Sequence, residues 1–219
     1  MAIRERFDED LKDLQKKLLE IGNLSVEALD KSLVALETQN VELALEIIED
    51  DTKVNLLEEE INDTVILLIA KQQPVAIDLR RVIVAIKIAN DIERIADFAV
   101  NIAKSTIRIG QDPLIKPIEH IKRMHEINKV MLKLSLEAYN EEDIAKAKNV
   151  AEMDDEVDEL YGIIIKDLLL LNQQNPDKIP QITQLSFVSR YLERAADHTT
   201  NIAENIFYLV KGKRYDLNT

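Results

Sequence analysis

Residues 93–103 read E-R-I-A-D-F-A-V-N-I-A, and residues 193–203 read E-R-A-A-D-H-T-T-N-I-A, the same stretch repeated 100 positions later without a gap. Seven of the eleven positions are identical: Glu93/Glu193, Arg94/Arg194, Ala96/Ala196, Asp97/Asp197, Asn101/Asn201, Ile102/Ile202 and Ala103/Ala203. Such self-similarity marks an internal duplication, so the repeat is the unit whose fold has to be explained. Within the first copy, Ile92, Ile95, Ala96, Ala99, Ile102 and Ala103 fall within about 120° on a helical wheel, which predicts a helix with this stripe in the core. Glu93, Asp97 and Asn101 step four residues at a time along the flank of the stripe, and Glu193, Asp197 and Asn201 repeat them.

Working outward, residues 5–37 carry apolar side chains at helical spacing, from Leu11 and Leu14 to Leu33 and Leu36, and Gly22 inside them predicts a kink or a packing contact. Asn40 is placed to cap a second helix over 41–72, which stops before Pro74. The third helix is expected from Asp78, a plausible cap, to Gly110, which suits a left-handed C-terminus. The second half repeats these events: Asn140 before a helix, Gln173-Gln174-Asn175-Pro176 ending it, and a last helix from about 181 to Gly212. Residues 111–117, with Pro113 and Pro117, form the linker. The expected fold is all-α, two tandem pseudo-repeated antiparallel three-helix bundles with six long helices, one bundle over 1–110 and the other over 111–219, joined end to end or side by side.

Composition agrees: 46% of the residues are hydrophobic, but only 4% are aromatic, with four glycines and five prolines, which suits long helices with few turns. The formal charge is −13, and neither half has a basic excess, which argues against nucleic-acid binding. Cysteine is absent, so disulfides, zinc-thiolate sites and thiol nucleophiles are excluded. Met1 to Asp10 has no apolar run and is not a secretory signal. The apolar runs are far shorter than the roughly 20 residues of a membrane span. A cytoplasmic protein without membrane insertion is expected.

The acidic rows are the candidate chemistry. Aligning Val54 with Val157 and Leu57 with Leu160 pairs Asp51 with Asp154 and Asn55 with Asp158, a second oxygen row beside an apolar stripe in each half. Antiparallel neighbours would bring the rows on the second and third helices together. A solvated acidic face, with Arg94 and Arg194 bridging to the aspartates, is the plain alternative. Duplication favours a bound cation, because like charges at i, i+4 weaken a helix by about 0.2–0.5 kcal/mol and a cation reverses that sign. The expected metal ligands are Asp51, Glu93, Asp97, Asn101, Asp154, Asp158, Glu193, Asp197 and Asn201. All-oxygen sites suit magnesium, manganese, calcium or iron, in one or several ions, better than structural zinc. His198 reads as packed or hydrogen-bonded, and His120 and His125 as residues of a polar face. Asp50 falls on an apolar stripe with no evident partner. Glu-x-x-His, His-Glu-x-x-His, phosphate-loop and Gly-x-Ser-x-Gly motifs are missing, so no enzymatic activity is expected; a carboxylate-bridged hydrolase is the remaining catalytic alternative.

K-Q-Q-P-V-A-I-D-L-R-R at 71–81, I-E-R-I-A-D-F-A-V-N-I-A at 92–103 and L-E-R-A-A-D-H-T-T-N-I-A-E-N-I-F-Y-L-V-K-G at 192–212 resemble the PhoU family, regulators of phosphate-specific transport, over essentially the whole chain. The resemblance implies a dimeric, non-enzymatic negative regulator that links the phosphate ABC transporter to a sensor histidine kinase. It also implies metal clusters held by E/D-x-x-x-D motifs, here Glu93/Asp97, Asp154/Asp158 and Glu193/Asp197. Two departures, Asn55 for aspartate and Phe98 for histidine, predict a weaker first site with Asp51 as the one anion on its helix.

Overall fold

The structure, a computed structural model, describes residues 2 to 217; Met1, Asn218 and Thr219, at the outer ends of the two expected halves, lie outside them. Six long helices follow one another: α1 (Ala2–Thr38), α2 (Val41–Gln72), α3 (Ile77–Ile109), α4 (Glu119–Glu141), α5 (Ile144–Gln174) and α6 (Ile179–Lys211), with one short 3-10 turn, Pro176–Lys178, before α6. The expected all-α architecture of two tandem three-helix bundles is observed. Among the described residues no helix is long and apolar enough to cross a membrane.

The ends follow local chemistry. Asn40 caps α2, its side chain accepting from the Leu43 amide at 2.9 Å. Gly110 and Gly212 end α3 and α6 at φ 71° and 69°. Two expected caps are corrected. Asn140 lies inside the last turn of α4, and the cap of α5 is Asp143, which accepts from the amides of Ala145 at 2.8 Å and Lys146 at 3.2 Å. The first two helices of the repeat recur at a spacing of 103, as Asn40/Asp143 and Val54/Val157 show, whereas the third recurs at 100. Asp78 is likewise not a cap: α3 already begins at Ile77, and Asp78 is buried in its first turn against Arg81 at 3.1 Å. A carboxylate there still complements the helix dipole.

The stripe read from the sequence is the centre of the molecule. Ile92, Ile95, Ala96, Ala99, Ile102 and Ala103 are all buried, as are Ala195, Ala196, Ile202 and Ala203 on α6. The halves lie side by side, and one hydrophobic cluster runs through both, from Leu14 and Leu18 to Ile206 and Leu209. Their most extensive interface is between α3 and α6, where alanines allow close approach. A second contact joins α1 to α4. Gly22 does not interrupt α1; it is a packing contact, because a Cβ there would overlap Leu136 Cδ1. Gly22→Ala should therefore cost about 1–3 kcal/mol by overpacking, measured by denaturant unfolding. An unchanged midpoint would mean that Leu136 simply rotates away.

Candidate metal centres

Each half places two acidic rows on facing helices, α2 with α3 and α5 with α6. The cause is local: a residue four positions from a buried one lies beside the stripe, so an i, i+4 row at its edge is half buried wherever the neighbouring helix packs.

In the second half Asp154, only 4% exposed, is the buried member. Burial, followed by the charges of Asp158 and Asp197, and then Glu193, pushes its carboxyl up to about 7, with the Thr200 hydroxyl acting in the opposite sense. Burial and the Asp197 charge also raise Asp158 and Glu193, against the pull of Arg190 on both. Asp154 Oδ1 and Glu193 Oε2 are buried without a hydrogen-bond partner. The guanidinium groups lie on the outside of the row: Arg190 pairs with Glu193, and Arg194 with Asp197 at 3.2 Å. The four carboxylates expected from the sequence in this half therefore act on one another.

In the first half Asp51 is raised chiefly by burial and then by Asp97, while Asn55 donates to it at 3.1 Å. Glu93 is raised by burial, by Asp97, and then by Glu58 and Asp51, against Arg94. Its Oε2 is also buried without a hydrogen bond. Glu58 was missed in the sequence: two turns beyond Asp51 on α2, its charge acts on Glu93, while its Oε1 accepts from Asn62 at 2.6 Å; Tyr161 stands at its equivalent in the second half. Spacing i, i+7 was the available signal, hidden by the run Glu58-Glu59-Glu60.

The asparagines behave differently from the acids. Asn201 directs its amide nitrogen to Asp91 Oδ1 at 3.5 Å and lines a cavity of about 430 Å³ with Glu58, Asn90 and Glu204. Asn101 is half buried one turn beyond Asp97. His198, as expected, is hydrogen-bonded: its Nδ1 lies 2.9 Å from Asp91 Oδ1 on α3. Phe98, its counterpart, stacks on Tyr191, the counterpart of Asp91, with ring centroids 6.1 Å apart. The two pairs run in opposite directions along the chain, so α3 and α6 cross antiparallel about a local twofold axis. Phe98 is thus a piece of this crossing.

Polar side chains hold both rows from behind. Ser25 Oγ donates to the Ile92 carbonyl at 3.3 Å, and Asn128 Nδ2 donates to the Leu192 carbonyl at 3.0 Å, each immediately before the glutamate of its row.

Elsewhere the structure corrects one reading and completes another. His125 is buried and not on a polar face; its Nε2 lies 2.8 Å from Asp30 Oδ1. The periodicity of α4 alone could not reveal that α1 covers this side. Asp30, His125 and Glu126 have ligand atoms within 4.8 Å of one another, but the Lys129 ammonium already sits 2.9 Å from Asp30 and 3.8 Å from Glu126. Asp50 is satisfied by Lys53 at 2.7 Å, with Lys31 at 3.7 Å.

The duplicated three-helix plan is matched by known proteins. The family model described as "PhoU domain" matches twice, over residues 18–106 and 121–206. The chain belongs to the PhoU family. A phosphate-specific transport system accessory protein PhoU homolog of Clostridium acetobutylicum is 40% identical over 216 residues, covering 98% of this chain and 99% of the relative. Crystal structures of PhoU from Pseudomonas aeruginosa and of the phosphate transport system regulatory protein PhoU from Streptococcus pneumoniae are similar, with TM-scores of 0.90 and 0.89 and identities of 29% and 32%. They cover 94% and 96% of this chain, and 100% and 99% of their own. In this PhoU chain the two family matches each include one α3- or α6-type acidic row.

Proposed function

We propose that this PhoU chain is an accessory regulator of phosphate-specific transport and that its two carboxylate centres bind metal ions. The regulatory role rests on the family and on the names of its relatives. The metal reading rests on one observation above all: carboxylate oxygens of Glu93, Asp154 and Glu193 are buried without hydrogen bonds inside clusters of like charge. Such groups are costly unless paired; Arg190 holds the other oxygen of Glu193 and Arg94 Nε stands 3.6 Å from Glu93 Oε2, and a bound cation would neutralise the charge that these leave. Asp154, Asp158, Glu193 and Asp197 would hold one centre; Asp51, Glu58, Glu93 and Asp97 would hold the other. Bound there, a hard cation neutralises the cluster and pins α5 to α6 or α2 to α3. Asn101 and Asn201 remain candidate neutral ligands. Magnesium, manganese, calcium or iron suit these oxygens better than structural zinc, and the room for several carboxylates suits more than one ion.

The regulatory reading adds a homodimeric, cytoplasmic, non-enzymatic protein that links the phosphate ABC transporter to its sensor histidine kinase and represses the starvation response. Deleting the gene should make phosphate-starvation genes constitutive in high phosphate; retained repression would refute that role. For the metal, elemental analysis of the wild type should give a stoichiometric ion content, and Glu193→Ala/Asp197→Ala should lose the second-centre share. Equal content in both proteins would remove that centre. The outward ion pairs Arg94–Asp97 at 2.9 Å and Arg194–Asp197 at 3.2 Å favour a second reading, a metal-free scaffold, which requires that added metal leave the melting temperature unchanged.

A further inference from the structure

The second half fills a groove with its own side chains where the first half leaves it open. On α5 and α6, Arg190 pairs with Glu193 and lies over the Tyr161 ring, 5.9 Å from its centroid, and Phe187 stacks on Tyr191 at 6.4 Å. The counterparts on α2 and α3 are Glu58 for Tyr161, Lys87 for Phe187, Asn90 for Arg190 and Asp91 for Tyr191. With these residues the groove becomes a cavity of about 430 Å³ between α2, α3 and α6. It adjoins a second cavity of about 400 Å³, which shares Lys87, Glu204 and Asn205 and adds Arg214 and Asp216, one charge of each sign.

The open groove is rich in acceptors. Asn62, at the place of Ile165, donates to Glu58 at 2.6 Å, and its Oδ1 is buried without a hydrogen-bond partner. Asn205 spends its amide nitrogen on the Asn201 carbonyl at 2.9 Å, which leaves its carboxamide oxygen to the groove. Negative charge accompanies these oxygens, because the two linings together carry four carboxylates, Glu58, Asp91, Glu204 and Asp216, and two cations, Lys87 and Arg214. Asp91 is held by His198 at 2.9 Å, and the Lys87 ammonium lies over the Tyr208 ring, 5.6 Å from its centroid. Arg94 pairs with Asp97 at 2.9 Å, and Lys104 acts on Asp51 at the far end of the row. Among the described residues no cation lies within 4.0 Å of Glu58. The first half therefore presents carboxylates and carbonyl oxygens where the second half holds the Arg190 guanidinium.

We infer that this groove binds an extended segment of a partner protein and takes an arginine of that segment at the place of Arg190. A guanidinium offers five N–H donors in a planar fork and suits carboxylate and carboxamide acceptors better than an ammonium does. At Glu58 and Asn90 it would lie on the outside of the acidic row, as Arg190 lies at Glu193, so the row keeps its inner oxygens. Main-chain recognition is already present in the lining: Glu204 accepts from the Leu217 amide of the chain's own irregular tail at 2.9 Å. Asn201 and Asn205 stand one turn apart, about 6 Å along α6, close to the roughly 6.8 Å between every second residue of an extended chain. The inference adds a surface to the regulatory reading and does not depend on metal.

Fluorescence anisotropy with the purified full chain, its metal content held equal throughout, tests the inference. The probes are short labelled peptides of Ala and Ser with one central arginine, lysine or citrulline. The arginine peptide should bind at least about tenfold more tightly than the citrulline peptide, the difference made by one charge-assisted hydrogen bond, and more tightly than the lysine peptide, which lacks the fork. Asn90→Arg gives the first groove the guanidinium of the second and should abolish this preference, whereas Asn90→Gln should keep it. Asn90 is exposed, and circular dichroism checks that both variants remain helical. Asn62→Ile, which copies Ile165, should weaken binding of the arginine peptide. The inference is overturned by arginine and citrulline peptides that bind alike, by a lysine peptide that binds as tightly as the arginine one, or by Asn90→Arg that binds as the wild type does. Free arginine that competes at the concentration of the peptide overturns it in favour of a small molecule. Self-association of the wild type that Asn90→Arg abolishes overturns it in favour of a second copy. Repression of starvation genes in high phosphate tests the regulatory role separately, so failure of one does not entail failure of the other.

Discussion

Metal-free protein should become less stable as the pH rises from about 4 to about 7, and Asp154→Asn should remove most of that slope. The Asp154 carboxyl is raised from 3.8 to about 7 in the fold. Between those values the native state keeps a proton that the unfolded state has lost, so ionisation favours unfolding. The stability is complete below the unfolded value, is lost progressively as the pH climbs through the native one, and is flat above it. The full difference is on the order of 4 kcal/mol. Asp51, Glu93, Asp158 and Glu193 are raised as well and contribute in the same direction. Denaturant unfolding of chelator-treated protein across this range measures it. The asparagine variant should be the more stable protein at high pH without metal and the weaker binder with it. Saturating metal should flatten the wild-type curve, since an ion at 1,000 times its dissociation constant adds about 4 kcal/mol. A metal-free wild type whose stability rises through this window would contradict the burial of an uncompensated carboxylate.

The crossing of α3 and α6 gives the second large effect. His198→Ala should destabilise the protein by about 3 kcal/mol, because it leaves Asp91, which is 9% exposed, with only a long 3.5 Å contact from Asn201 among the described residues. The repeat supplies its own control. Phe98 and Tyr191 solve the same crossing with two stacked rings, so Asp91→Tyr/His198→Phe should recover most of the loss, a buried polar pair being replaceable by well-packed apolar groups at little cost. Thermal and denaturant unfolding of the single and double variants decide it. A double variant no better than His198→Ala would show that the two ends of the crossing are not equivalent.

Much of this was legible in the residues themselves. Helical periodicity fixed α2 to within its terminal residues and α1, α3 and α6 to within a few, because a stripe of Ile, Leu, Val and Ala at 3.6-residue spacing has one way to hide from water. The repeat, Asn40 as a cap, the two stops before proline and the position of the acids beside the stripe are equally local. Asn140 failed as a cap because one spacing was applied to a repeat that has two, 103 for Asn40/Asp143 and 100 for Glu93/Glu193.

What escaped was set by neighbours distant in the chain. Nothing local to α4 announces that His125 meets Asp30, 95 residues earlier, or that Gly22 makes room for Leu136. Glu58 joins Glu93 only because α2 and α3 pack at that height, and His198 chooses Asp91 over the acids of its own helix because α6 crosses α3 there. The sequence by itself determined six amphipathic helices, their duplication and two acidic edges, since each follows from side-chain order along one helix. Only the tertiary structure decided which carboxylates act on one another, which histidines are consumed by packing, and that both halves close over one core, because those outcomes depend on which helix faces lie across from each other.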